Sequence, residues 1–277
     1  MVLSPQRFLA ESQTLDRMSD GVPEGVFGTL QARSRVFPVL LMCARQFTLL
    51  ILGVLLCQWT WAESPATGGE PSVRPGVNRA YANPQIEIWK QRFERPGREV
   101  YDRRFDIVDA TGIQPGMTVA DISAGTGLFT WLFSDRVGPI GTVYAVDISE
   151  GFIENIDRKA RATGRVNVIA VKNSPRDAAL PKGRVDIAFV CDTYHHFEYP
   201  KSMLASIRDA LRDGGELVVV DFRKIPGLSS PWVMGHVRAN RDTVVAEIEN
   251  AGFGLRGESD LLRTNYMLRF TKVRARH

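Results

Sequence analysis

Residues Val119 to Thr130 read Val-Ala-Asp-Ile-Ser-Ala-Gly-Thr-Gly-Leu-Phe-Thr, and no other stretch restricts the fold as strongly. The apolar run Met117 to Ile122 reads as a short buried strand carrying one acid, Asp121. The chain then collapses into small residues around Gly125 and Gly127, and Leu128 to Phe133 resumes apolar character as the start of a helix. Strand, glycine-rich turn, helix is how an α/β sheet sets a nucleotide-like ligand against free backbone N–H groups at a helix N-terminus. Without a Cβ, the two glycines let the chain turn sharply and let a ligand approach the backbone.

Two common ligand classes do not fit this turn. A dinucleotide fingerprint needs a glycine three residues beyond the second one, where Thr130 stands, and no glycine follows before Gly138. A P-loop needs Gly-Lys-Ser/Thr, and Gly127 is followed by Leu128. What remains is acid-x-small-x-Gly-x-Gly, which resembles the first motif, (D/E)-x-G-x-G-x-G, of the class I S-adenosylmethionine-dependent methyltransferases. Ser123 stands where that family usually has its first glycine. The resemblance extends over roughly residues 83–273. It implies a doubly wound seven-stranded Rossmann-like sheet whose last strand is antiparallel, with Asp121, Ser123, Ala124, Gly125 and Gly127 around the methionine part of adenosylmethionine. An ordinary tight strand-to-helix turn is the bland alternative.

The rest of the chain supplies further strand ends in order. Gly141 to Asp147 reads as a second strand ending in an acid 20 residues past Gly127, where a carboxylate can accept both ribose hydroxyls. Ile148 beside it would pack on the adenine face. Ser149-Glu150 also looks like a helix cap, so a capping role competes for Asp147. After a third strand, Val166 to Val171, the family implies a polar residue on the adenine amino group. Asn173 and Asp177 are both candidates, and plain loop polarity competes with either. A fourth strand, Val185 to Cys191, delivers Asp192-Thr193-Tyr194-His195-His196-Phe197-Glu198, the densest chemistry in the chain. Asp192 falls among the cofactor-binding candidates. Many small-molecule methyltransferases carry a His pair here, and a neutral imidazole can take a proton from an attacking nucleophile. His195 and His196 are therefore the catalytic candidates, one expected to be functional and the other structural. A metal reading gathers Asp192, His195, His196 and Asp221. It is set aside because adjacent histidines point different ways on most backbones, so no metal is expected.

Helix 201–212 should stop at Asp213-Gly214-Gly215, and Glu216 to Asp221 reads as a fifth strand. Residues 225–235 read as a loop fit for a substrate lid, and His236 with Arg238 as the opening of a helix running to Asn250. Two β-like runs close the chain, around 254–260 and 265–273. Residues 85–112 read as helical in two pieces broken at Pro96-Gly97. The family often lays such a segment over the cofactor, so Arg98 or Tyr101 could touch it.

The front of the chain differs in kind. Residues 1–62 read as a leader. Within it, 42–62 combine Arg45, about eleven apolar residues at 47–57 and Thr60-x-Ala62, the pattern of a secretory signal or an uncleaved anchor. Residues 63–82, rich in Pro, Gly and Ser, read as a flexible linker, and 83–277 as the methyltransferase domain. Cys43 and Cys57 lie in the leader, which leaves Cys191 without an intramolecular partner in the body. A net charge of +4, spread evenly over 277 residues, does not argue for nucleic acid. The expected partner is a small-molecule substrate, with membrane contact only through residues 47–57. The expected cofactor is S-adenosyl-L-methionine. The competing readings are a non-catalytic adenosylmethionine- or nucleoside-binding module and a nicotinamide-dependent oxidoreductase. The expected location is the cell envelope or beyond it if the leader acts as a signal, and the cytoplasm otherwise.

Overall fold

The structure, a computed structural model, describes residues 69–273. The leader at 1–62, with its signal-like segment 42–62, lies outside the described residues, as do linker residues 63–68. Among the described residues no helix is long and apolar enough to cross a membrane.

Three short helices come first: α1 (Ile86–Phe93), α2 (Glu99–Asp102) and α3 (Arg104–Thr111). An alternating series follows, with β1 (Thr118–Ile122), α4 (Leu128–Val137), β2 (Thr142–Asp147), α5 (Glu150–Ala162), β3 (Val168–Lys172) and β4 (Val185–Cys191). The chain closes with α6 (Pro200–Ala210), β5 (Leu211–Phe222), α7 (Pro231–His236), α8 (Arg241–Asn250), β6 (Phe253–Ser259) and β7 (Asn265–Lys272). The seven strands form one sheet in the order β3-β2-β1-β4-β5-β7-β6. The first five are parallel, and β7 runs antiparallel between β5 and β6. This is the expected Rossmann-like sheet with its closing antiparallel pair.

Side chains alternate across each strand, so one sheet feeds two cores. Ala120, Ile122, Ala188, Val190, Leu217 and Val219 join Met203, Leu204 and Ile207 of α6 and Val244 and Ile248 of α8. Val119, Val143, Ile187, Phe189, Val218 and Val220 face the other way, onto Phe129, Phe133 and Val137 of α4 and Ile107 and Val108 of α3. Because both faces are covered, the parallel strands read as nearly continuous apolar runs. The strand order reverses beside β1, so the crevice at the carboxyl ends of β1 and β4 is the switch point where such sheets bind ligands.

Three expectations need correction. The helix expected over 201–212 ends at Ala210, because Leu211 already pairs with Val185 and Arg212 binds Asp186. Gly214 and Gly215 therefore lie inside an irregular start of β5. A Cβ on Gly215 would come 3.0 Å from the carbonyl oxygens of Arg212 and Val185. His236 ends α7 instead of opening the next helix, and part of the expected lid loop is that helix. Residues 69–82, expected as linker, are docked on the domain. The Glu70 carboxylate accepts from the N–H groups of Lys201 and Ser202 at 2.8 and 2.6 Å, at the N-terminus of α6. Glu198 Oε1 accepts from Ser72 Oγ at 3.0 Å and from the Gly76 N–H at 2.9 Å. These partners lie more than a hundred residues away in sequence, beyond what local composition can report.

One packing constraint is directly testable. A Cβ on Gly141 would fall 2.4 Å from Val137 Cβ and 2.7 Å from the Met117 carbonyl oxygen. Neither can move without displacing α4 or the start of β1. Gly141→Ala should cost about 2 kcal/mol or more of stability, read as a lowered urea midpoint. An unchanged midpoint would contradict this packing.

Candidate active site

The glycine turn is held from below by two buried acids. Asp121, at the end of β1, accepts the Thr130 hydroxyl at 2.6 Å and ties the strand to the first turn of α4. Burial pushes its carboxyl up to about 7. Asp147, at the end of β2, accepts the Gly125 N–H on one oxygen and the Ser149 N–H on the other, each at 2.8 Å. Burial pushes it to about 6, against the pull of those backbone donors. Asp147 is thus not the surface helix cap weighed against a ligand role: it is buried, braces the turn and holds Ser149, the residue ahead of α5. Gly125 and Gly127 take φ of 56° and 85°, as the turn requires. Ser123 takes φ 62°, a left-handed conformation that a residue with a Cβ enters only at a cost. That is the physical reason the related motif has glycine there.

Ser123, Ile148 and Asn173 line one cleft with Pro175, Thr193 and His196. Asn173 donates to the Ser174 carbonyl at 3.1 Å, while its Oδ1 is buried without a partner. Asp177 behaves differently. It is exposed, and its carboxylate accepts the Ala179 N–H at 2.8 Å within its own turn. Asp192, at φ 48°, accepts from Arg98 at 2.6 Å and from the Asn265 side chain at 2.5 Å. It ties the N-terminal helices and β7 to the end of β4. Arg98 thus reaches the site through Asp192, whereas Tyr101 lies under the Arg104 guanidinium.

The N-terminal segment covers the strand ends. Thr126 Oγ1 donates to Glu94 at 2.8 Å, and the Phe93 ring lies where a Cβ on Gly125 would meet it at 3.4 Å. Tyr81, Trp89 and Phe93 form a row of ring contacts, and Tyr81 meets His196 edge-on.

His195 and His196 sit in a one-turn helix after β4, both buried. Asp221 at the end of β5 accepts the His195 N–H at 3.0 Å and pairs with its Nδ1 at 2.8 Å. His196 instead faces the cleft, and its Nε2 stands 3.2 Å from Nε2 of His236. Burial, followed by the neighbouring imidazoles, pushes His196 down to about 2 and His236 down to about 4. Both rings are therefore neutral at ordinary pH. The sequence marked His236 only as a helix opening and not as a site residue, since it lies 40 residues from His196 in a helix of its own. The signal that could have found it is scarcity: the chain has four histidines, and three meet here. The carboxylates once weighed with the His pair divide: Asp192 turns to Arg98 and Asn265, and Asp221 orients His195.

A family model described as a methyltransferase domain matches residues 120–217. Among curated proteins, a ubiquinone/menaquinone biosynthesis C-methyltransferase UbiE of Shewanella pealeana is 32% identical over 123 residues, 44% of this chain and 49% of that protein. Its counterpart in Cupriavidus taiwanensis is 28% identical over 123 residues, 44% of this chain and 50% of that one. The chain spans about half the length of the curated relatives it matches. Among solved structures, an S-adenosylmethionine-dependent methyltransferase from Aquifex aeolicus aligns with a TM-score of 0.60 at 24% identity, covering 67% of this chain and 98% of that one. A "possible exported protein" from Bordetella parapertussis aligns at 0.53 and 16% identity, covering 71% and 78%. At such identities the likeness is one of fold.

Two outcomes follow from the site geometry. Replacing Ser123 by glycine removes a left-handed penalty of about 1–2 kcal/mol and adds about 0.5–1 kcal/mol of unfolded-chain entropy. Ser123→Gly should therefore raise the melting temperature slightly, and a clear drop would contradict the strain. His196 releases its proton in the folded chain down to about pH 2, while an unfolded histidine holds one below about 6.5. The unfolded state thus binds more protons across that window, and stability from this group falls as pH drops through it. His196→Asn should gain on the wild type by up to about 1.4 kcal/mol per pH unit below pH 6.5. Urea unfolding of both proteins at several pH values reads this, since Asp121 and Asp147 cancel in the difference. A flat difference would refute it.

Proposed function

We propose that the chain is a class I S-adenosylmethionine-dependent methyltransferase that transfers a methyl group from S-adenosyl-L-methionine to a small-molecule acceptor, a reading supported by the matched methyltransferase domain and the shared fold. The observation that carries this reading is the coincidence of three features at one sheet edge. They are a braced glycine turn, a cleft with an orphaned amide oxygen, and an oriented imidazole cluster beside it. Adenosylmethionine supplies an electrophilic methyl on a sulfonium sulfur.

Each residue has work to do in that reading. Asp147 receives the ribose hydroxyls, and Ile148 packs on the adenine. Asn173 Oδ1, buried and without a partner, suits a donor such as the adenine amino group, and Asp177, turned to its own loop, does not. Ser123, Ala124, Gly125 and Gly127 border the methionine part. Asp121 and Asp192 act through what they hold in place. The acceptor docks against the cluster of His195, His196 and His236, and the His195 ring, fixed through Nδ1 by Asp221, presents its other nitrogen to take the proton. Alignment of acceptor and methyl is the main source of rate, with the aromatic cover of Tyr81, Trp89 and Phe93 excluding water. The signal-like pattern at 42–62 adds export to the proposal, resting on that pattern alone.

Thermal unfolding with adenosylmethionine, adenosylhomocysteine and NAD in parallel tests the cofactor. A ligand at 100-fold over its dissociation constant adds about 2.7 kcal/mol. Stabilisation by the first two alone is expected, reduced by Asn173→Ala by about the value of one hydrogen bond, ~1 kcal/mol, and abolished by Asp147→Ala. Stabilisation by NAD alone would overturn the reading. Turnover is read as adenosylhomocysteine release over a panel of small acceptors. Asp221→Asn should slow it by about 10²-fold or more. Cofactor binding with no turnover on any acceptor would favour a non-catalytic binding module.

A further inference from the structure

Three imidazoles from two distant segments converge on one point beside the cleft. His195, His196 and His236 each offer one ring nitrogen, and these nitrogens all lie within 4.8 Å of one another. His196 Nε2 and His236 Nε2 are 3.2 Å apart. Two imidazole nitrogens bound to one tetrahedral zinc ion, each at 2.0–2.1 Å, stand about 3.3 Å apart. The pair therefore already has the spacing of two such ligands.

We propose that His195, His196 and His236 form a binding site for one divalent transition-metal ion of the zinc type, with a fourth position left for an oxygen or sulfur ligand. Three histidines plus one open position is a donor set of catalytic zinc, as distinct from the closed four-ligand set of structural zinc. Asp221 supplies the outer support that such sites use: it engages Nδ1 of His195 and so leaves Nε2 for the metal. The ring of His236 is held by stacking on Trp232, with centroids 4.5 Å apart at 18°. The Tyr81 hydroxyl lies 3.5 Å from His196 Nε2 and marks the side from which an oxygen ligand reaches the same point.

The surrounding charges are mixed. Asp221 favours a cation from β5, and the pair Asp192 with Arg98 is internally neutral. Arg74, on the carbonyl of His236, opposes one. Without a cation, two Nε2 atoms face each other across a distance that one shared proton must bridge.

Metal binding does not depend on methyl transfer; only the role given to the ion rests on that reading. An acceptor O–H or S–H would bind the ion through its heteroatom and give its proton to water. Methyl transfer to that heteroatom would then break the carbon–sulfonium bond, leave the electron pair on sulfur, and change no oxidation state. The sulfonium of adenosylmethionine is the methyl donor.

The test uses the full chain, stripped with a chelator and titrated with Zn²⁺ against a chromophoric competitor and with Co²⁺ by visible absorption. One equivalent of either ion is expected, with the intense visible bands of four-coordinate Co²⁺. His236→Ala and His236→Gln should each lower Zn²⁺ affinity at least tenfold, and Asp221→Asn by about 10–100-fold, with melting curves showing each variant folded. A six-coordinate Co²⁺ spectrum, or unchanged Zn²⁺ affinity in the folded His236 variants, would overturn the site. Absent Zn²⁺ binding with adenosylmethionine still stabilising the chain would remove the metal and keep direct proton transfer to imidazole. Zn²⁺ binding with no adenosylmethionine effect would do the reverse.

Discussion

A carboxylate taken out of water persists in a fold only when donors satisfy it, and four such groups organise this molecule. Each stands at or just beyond the carboxyl end of a strand. Asp121 holds the first turn of α4, and Asp147 holds the glycine turn together with the residue that opens α5. Asp192 holds Arg98 and Asn265, and Asp221 holds the backbone and ring of His195. The strand ends carry the chemistry because the loops there are anchored by buried charge. The same burial that raises Asp121 and Asp147 makes each a strong acceptor for any donor brought near.

The second organising element is the segment ahead of the sheet. It reaches the site through side chains: Glu70 on the N-terminus of α6, Glu198 on Ser72 and Gly76, Asn78 on the His196 carbonyl, and Glu94 on Thr126. These bonds place the rings of Tyr81, Trp89 and Phe93 over the strand ends. A doubly wound sheet leaves that crevice open on one side. Here the preceding chain forms the wall, so the segment that composition marks as featureless shapes the space in which a substrate must fit.

The imidazole cluster joins the two ideas. His195 and His196 arrive together from β4, yet their surroundings divide them. His195 is turned to a carboxylate, and His196 to the cleft and to His236. Against the expectation that adjacent histidines point apart, the two rings lie side by side with centroids 4.4 Å apart, and a third ring closes the cluster from elsewhere. α7 supplies that ring, and the stacking of Trp232 on His236 keeps it in place.

The sequence by itself determined the sheet and the position of its crevice. Apolar runs ending in Asp121, Asp147 and Asp192, the glycine turn between strand and helix, and the closing pair of β-like runs are local patterns, readable because strand and helix periodicity act over a few residues. The same holds for the placing of Gly125 and Gly127 in a tight strand-to-helix turn, whereas the bracing of that turn by Asp147, 22 residues from Gly125, is a tertiary bond. Only the tertiary structure decided what depends on partners far apart in the chain. It ended α6 at Ala210 through the pairing of Leu211 with Val185, and docked residues 69–82 through Glu70 and Glu198. It separated Asn173, with its orphaned oxygen, from Asp177, satisfied within its own turn. It brought His236 to the His pair. Hydrogen bonds and ring contacts between segments 26 to 132 residues apart leave no periodicity in the sequence, because their geometry exists only once the sheet has brought the segments together.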